Sequence, residues 1–146
     1  MKGKLFVFDL DATLWDGQSL YPDVIGILST IRKYGGYIYV ASFNNQAPRI
    51  LSQLGILQFF HGGTCEAYNS KYRMIRQIID FHNGFYLNCT GEKKFDTIDG
   101  SLSVYFYDDL HSNILDVYYG NKNNSDNIKA VHIINGLKWN DILVNL

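Results

Sequence analysis

Asp9 and Asp11 stand at the end of an unbroken apolar run, in Leu5-Phe6-Val7-Phe8-Asp9-Leu10-Asp11-Ala12-Thr13-Leu14-Trp15. A buried strand should not end by pressing two like charges together. On an extended chain, residues two apart project to the same side, so these carboxylates repel unless a cation or an incoming anion makes use of them. Ser42 closes a second apolar run, and Asp108 with Asp109 closes a third. Four carboxylates in one crevice invite a hard divalent cation with oxygen ligands, for which Mg²⁺ is the plainest choice. Such a metal suits a phosphate substrate, because it bridges carboxylate and phosphoryl oxygens. Asp9 is then placed to attack phosphorus and form an aspartyl phosphate. Asp11 protonates the leaving oxygen and later activates water. Ser42 offers a hydroxyl to a phosphoryl oxygen, and a lysine completes the charge balance. Lys71 is the candidate lysine. It falls in the first turn of a predicted helix, where the dipole disfavours a cation, and a residue set against its local preference points to a task. Lys93 and Lys94 are fallback candidates.

The elements that must position these groups follow from apolar spacing. Lys4–Phe8, 37–41, 102–107 and 130–134 read as buried strands. Helical spacing predicts helices over 22–34, 48–54, 70–81, 111–118 and 137–146. Pro22 suits a first turn, and Gly35, Gly55 and Asn83-Gly84 suit stops. Gly62-Gly63-Thr64 is a turn or a short third strand. The polar run 120–127 reads as a loop. Alternating strands and helices predict an α/β fold, a three-layer sandwich with a mostly parallel sheet, formed by 1–146 as one domain. Ligands bind such sheets beyond the carboxyl ends of the strands. The reactive residues all end strands, so they should converge on one edge.

A chain of 146 residues, 47% hydrophobic, is long enough for a real core. The net charge of -1 gives no broad grip on nucleic acid or an anionic membrane. No apolar run is long enough to span a bilayer, and no secretory signal is read; the expected location is cytoplasmic. Cys65 and Cys89 stand alone, which fits a reducing setting but leaves a single bridge between them open. His61, His82, His111 and His132 lack zinc-ligand spacing and read as surface or satisfied core residues. No Cys-based phosphate loop and no Walker-type glycine loop is present in the sequence.

The segments Asp9-Leu10-Asp11-Ala12-Thr13, Ser42, Lys71 and Asp108-Asp109 resemble motifs one to four of the haloacid dehalogenase-like phosphatases, in order. Leu14-Trp15, Ala41-Ser42, Ser70-Lys71, Asp108-Asp109-x-x-x-Asn113-Ile114-x-Asp116-Val117 and His132-Ile133-x-Asn135-Gly136 are similar to the magnesium-dependent phosphatase subfamily. The resemblance implies that Asp9 is nucleophile and metal ligand. Asp11 is implied as general acid/base, lending the metal its backbone carbonyl. Asp108 is implied as a direct ligand, while Asp109 ligates or holds a metal-bound water. Thr13 and Ser42 would orient the phosphate and Lys71 neutralise it. Phe43-Asn44-Asn45-Gln46 departs from the subfamily. Phe43 and Asn44 either contact substrate or only cap the next helix. The stretch 84–101 suggests an inserted hairpin.

The short spans between Asp11 and Pro22 and between Ser42 and Lys71 leave no room for a cap domain. The resemblance implies that capless members have an open crevice, accept phosphate on large substrates or borrow a neighbouring subunit. Trp15, Tyr21 and Phe43 are rim or core aromatics. The expected activity is therefore Mg²⁺-dependent hydrolysis of phosphomonoesters, on phosphotyrosine, protein or sugar phosphate. The alternatives are a nucleic-acid 3′-phosphatase, suggested by Asn44 and Gln46, and a non-enzymatic phospho-aspartate module resembling a receiver. A receiver carries its phosphorylated Asp on the central strand, and here the central strand is expected to be the one ending in Ser42. Oligomeric state is not legible.

Overall fold

Strand residues alternate between two cores, and this alternation aims the site. In the computed structural model, which describes residues 3–67, 69–82 and 102–146, the strands are β1 (Lys4–Phe8), β2 (Tyr37–Ser42), β3 (Gly62–Cys65), β4 (Ser103–Asp108) and β5 (Lys129–His132). They pair in the order β3-β2-β1-β4-β5, every pair parallel. The helices are α1 (Val24–Lys33), α2 (Ala47–Gln53), α3 (Lys71–His82), α4 (His111–Asn124) and α5 (Trp139–Ile142). Phe6, Phe8, Ile38, Val40, Tyr105 and Tyr107 face one core, shared with α1, α2 and α5. Leu5, Val7, Tyr39, Ala41, Val104 and Phe106 face the other, shared with α3 and α4. Phe6 stacks on Tyr105 and Phe8 on Tyr107, with centroids 5.3 and 5.1 Å apart. Each such buried aromatic contributes roughly 1.5–3 kcal/mol of transfer free energy. The strand register is thereby held, because a one-residue slip would exchange the two cores.

The fold is the expected α/β sandwich with a parallel sheet, and 62–65 resolves as a strand. Three expectations are corrected. The central strand is β1, ending at Asp9, and not the strand ending in Ser42. The order among the described residues, with the first strand in the middle, still differs from the 2-1-3-4-5 order of receivers.

Second, 120–127 is not a loop throughout, because α4 runs on to Asn124 and ends where Ser125 turns left-handed at φ 56°. Its turn-forming residues serve the helix end instead. The Asn124 amide donates to the Gly120 carbonyl (3.0 Å), and the Asn121 amide brackets both backbone groups of Ile128 (2.8 and 3.0 Å). Gly120 lets α4 approach α3: a Cβ there would run into the Tyr72 ring. Gly120→Ala should therefore destabilise the protein by about 1–3 kcal/mol, although Ala ordinarily favours a helix by roughly 1 kcal/mol over Gly. Urea melts check this, and a gain in stability would contradict the packing.

Third, 137–146 is not one helix; α5 is short and gives way to a tight turn at Leu143–Asn145. The Lys4 ammonium takes the carbonyls of Asn145 (2.7 Å) and Leu146 (3.0 Å), and Asn145 donates to the Tyr107 hydroxyl (3.0 Å). The expected hairpin over 84–101, Cys89, Lys93, Lys94 and the Asn83-Gly84 stop lie outside the described residues. No helix among the described residues is long and apolar enough to cross a membrane.

Candidate active site

The switch in strand order places β1 beside β4, and the crevice opens past their carboxyl ends. The pairing continues one step beyond β1, since Asp9 N–H donates to the Tyr107 carbonyl (2.9 Å). Asp9 has the parity of Leu5 and Val7, and Asp108 that of Val104 and Phe106, so both carboxylates face α3 and α4. Lys71, the first residue of α3, meets them there. Its ammonium lies 2.8 Å from Asp9 Oδ1 and 2.7 Å from Asp108 Oδ2, and it is 1% exposed. The buried Thr13 hydroxyl donates to Asp9 Oδ2 (3.3 Å). Asn113 Nδ2 donates to Asp108 Oδ2 (3.0 Å), and Leu110 N–H donates to Asp108 Oδ1 (2.9 Å).

Burial, reinforced by the Asp108 charge, outweighs Lys71 and pushes the Asp9 carboxyl up to about 8. Asp108 is raised as well, by burial, against the lowering effect of Lys71. The metal-free fold thus keeps a proton on Asp9 up to about pH 8, whereas the unfolded chain releases it near 3.8. Metal-free stability should accordingly fall as pH rises across that window. Thermal unfolding in EDTA reads this directly. Asp9→Asn should flatten the profile, and parallel profiles for the two proteins would show that Asp9 carries none of it.

Asp9, Asp108 and Asp109 each offer a carboxylate oxygen, all within 4.8 Å of one another. Three hard oxygen donors at a sheet edge fit a small divalent cation that keeps several waters. The Asp11 side chain does not join them. After β1 the chain leaves the extended conformation, with Ala12 at φ 61°, and the exposed Asp11 carboxylate accepts from Trp15 Nε1 (2.8 Å) and Asn44 Nδ2 (3.3 Å). Alternation along a strand put both carboxylates on one side; β1 ends at Phe8, before either of them, and the Asp11 carboxylate is taken by Trp15 and Asn44 instead.

Ser42 is buried, and its Oγ accepts from Asn44 N–H (3.0 Å). Asn44 Oδ1 in turn accepts from Gln46 N–H (2.9 Å), so Asn44 both shapes the entry to α2 and touches Asp11. Phe43 lies over the lysine, its ring centroid 4.8 Å from Lys71 Nζ. Trp15 and Tyr21 pack against the α1 core. His61 Nδ1 accepts from Ile38 N–H (3.0 Å), and His132 Nε2 shares a bond with the Asp109 carbonyl (2.8 Å). Asn113 had no role assigned from its spacing. Its position five residues after Asp108, in the first turn of the helix that starts at His111, is the signal that finds it.

No family model matches the chain, and no curated protein matches it in sequence. Solved structures do. The core domain of a protein assigned as a phosphoglycolate phosphatase from Streptococcus pneumoniae superimposes with a TM-score of 0.60 at 16% identity, covering 99% of this chain and 96% of that one. A haloacid dehalogenase-like family hydrolase from Streptococcus pneumoniae superimposes with a TM-score of 0.61 at 14% identity, covering 99% of this chain and 91% of that one. Across nearly its whole length, the chain has the fold of the haloacid dehalogenase-like hydrolases.

Proposed function

We propose that this protein is a Mg²⁺-dependent phosphomonoester hydrolase that works through an aspartyl phosphate on Asp9. The observation that supports it best is the buried Lys71 ammonium held between Asp9 and Asp108, with Asp109 beside them. Phosphotyrosine, phosphoprotein and sugar phosphates are the proposed substrates, reached through a crevice that no cap domain covers among the described residues. Asp9, Asp108 and Asp109 are the residues that would hold Mg²⁺, which when bound supplies positive charge against the phosphoryl oxygens.

An Asp9 carboxylate oxygen attacks phosphorus, and the bond from phosphorus to the leaving oxygen breaks. Asp11 gives its proton to that oxygen. Water then attacks phosphorus, Asp11 takes its proton, the bond to Asp9 breaks, and inorganic phosphate leaves. Lys71, Thr13 and Ser42 orient the phosphoryl oxygens. Trp15 and Asn44 hold Asp11 in the open part of the crevice, where a leaving group departs.

The test is a panel of aryl, sugar, phosphopeptide and nucleic-acid 3′-end phosphates assayed with Mg²⁺ and with EDTA. Turnover of at least one class, lost in EDTA, is expected; no turnover of any class would end this reading. Trp15→Phe refines it. General acid catalysis is worth about 10²–10⁴-fold and matters most for poor leaving groups, so this variant should slow alkyl phosphates far more than aryl phosphates. Equal slowing of both would separate Trp15 from proton transfer.

A further inference from the structure

The first turn of α3 is an unfavourable place for a cation, yet Lys71 must hold its ammonium between two carboxylates. A carboxylate from the neighbouring helix fixes that turn. Asp116 Oδ2 accepts from the Ser70 hydroxyl (2.7 Å) and from Tyr72 N–H (3.0 Å), the residues on either side of Lys71. Asp116 also brings negative charge to the amino end of α3. One turn earlier on α4, on the same face, Asn113 bonds Asp108. The bonds form a ring: Asp108 to Asn113, along α4 to Asp116, across to Ser70 and Tyr72, and through Lys71 back to Asp108.

We infer that Asp116 is a positioning residue that acts through Lys71, so that one edge of α4 sets both the carboxylate and the lysine of the site. This rests on the hydrolase reading above. Asp116 touches no reacting atom; it fixes where the ammonium meets phosphate. Ser70 carries the same role from the α3 side.

A double-mutant cycle tests it. Asp116→Ala should lower kcat/KM for an aryl phosphate, and weaken inhibition by inorganic phosphate, by about tenfold to a hundredfold. Asp116→Asn keeps an acceptor for both bonds and should restore most of that loss. In a Lys71→Met background, Asp116→Ala should cost nothing further. Equal losses in both backgrounds, or no loss in either, would overturn the inference. If Asp116→Ala does not fold, Ser70→Ala takes its place in the same cycle with the same two outcomes. A wild-type protein inactive on every phosphomonoester would count against the hydrolase reading alone. The coupling would then be scored in the thermal midpoint, where additive effects of Asp116→Ala and Lys71→Met would overturn it.

Discussion

Asp9→Asn is expected to lower turnover of every phosphomonoester by about 10⁴-fold or more, because a carboxamide is not a nucleophile at phosphorus. The fold should survive. Asn is nearly isosteric, its oxygen can still accept from Lys71, and its amide can donate to the Thr13 hydroxyl, which then acts as acceptor. In metal-free buffer the variant should be more stable than the parent above neutral pH, since burial disfavours the charged carboxylate it removes. Steady-state assays, circular dichroism and thermal unfolding in EDTA cover all three readouts. Retained turnover would move the nucleophile elsewhere. Lost turnover together with a lost fold would say nothing of chemistry, which is why stability belongs in the same experiment.

Lys71→Met should have the largest effect on stability. Removing one member of a buried ion pair typically costs about 3–5 kcal/mol, because the partner is left charged and unpaired. Here two carboxylates lose their common cation. Both have raised pKa values, so at low pH they can hold protons and blunt the loss. The cost should be small near pH 5 and grow as pH rises. Mg²⁺ should offset much of it at pH 8, by supplying the missing positive charge. Activity should also fall, by about 10²–10³-fold, as phosphate loses a fixed cation. Urea melts at two pH values, with and without Mg²⁺, separate these effects. A cost independent of both pH and Mg²⁺ would mean that Lys71 is only a packing residue.

The parts of this fold legible in the sequence are those where a single physical signal dominates. Runs such as Leu5-Phe6-Val7-Phe8 are apolar on both faces, as a strand covered by helices on both sides requires, and the polar residue that follows, Asp9, Ser42 or Asp108, marks the strand end. Lys71 stood out because its charge opposed its place in a helix. The extent of α4 was not legible, because Gly120, Asn121 and Asn124 carry a strong turn signal. What overrides it is tertiary: the Tyr72 ring against Gly120, and Asn121 spanning back to Ile128. The Asp11 position was hidden for a related reason. Alternation holds only within a strand, and β1 stops at Phe8; the partners that take the Asp11 carboxylate, Trp15 and Asn44, are met only once the chain is folded. Strand order is also silent in local pattern, so the central place of β1 emerged only from the pairing. Asp116 matched the phosphatase-subfamily pattern but had no role until the neighbouring helix was in place.

One measurement bears on the central claim most directly. Asp11→Asn, which should form the phosphorylated enzyme but hydrolyse it slowly, is mixed with an aryl phosphate and Mg²⁺, quenched in acid within the first turnover and mapped by peptide mass spectrometry. A phosphoryl group on the Asp9 peptide, absent when EDTA replaces Mg²⁺ and absent in Asp9→Asn, is the expected result. Release of the aryl alcohol with phosphate on another residue, or on none at any time, would contradict it.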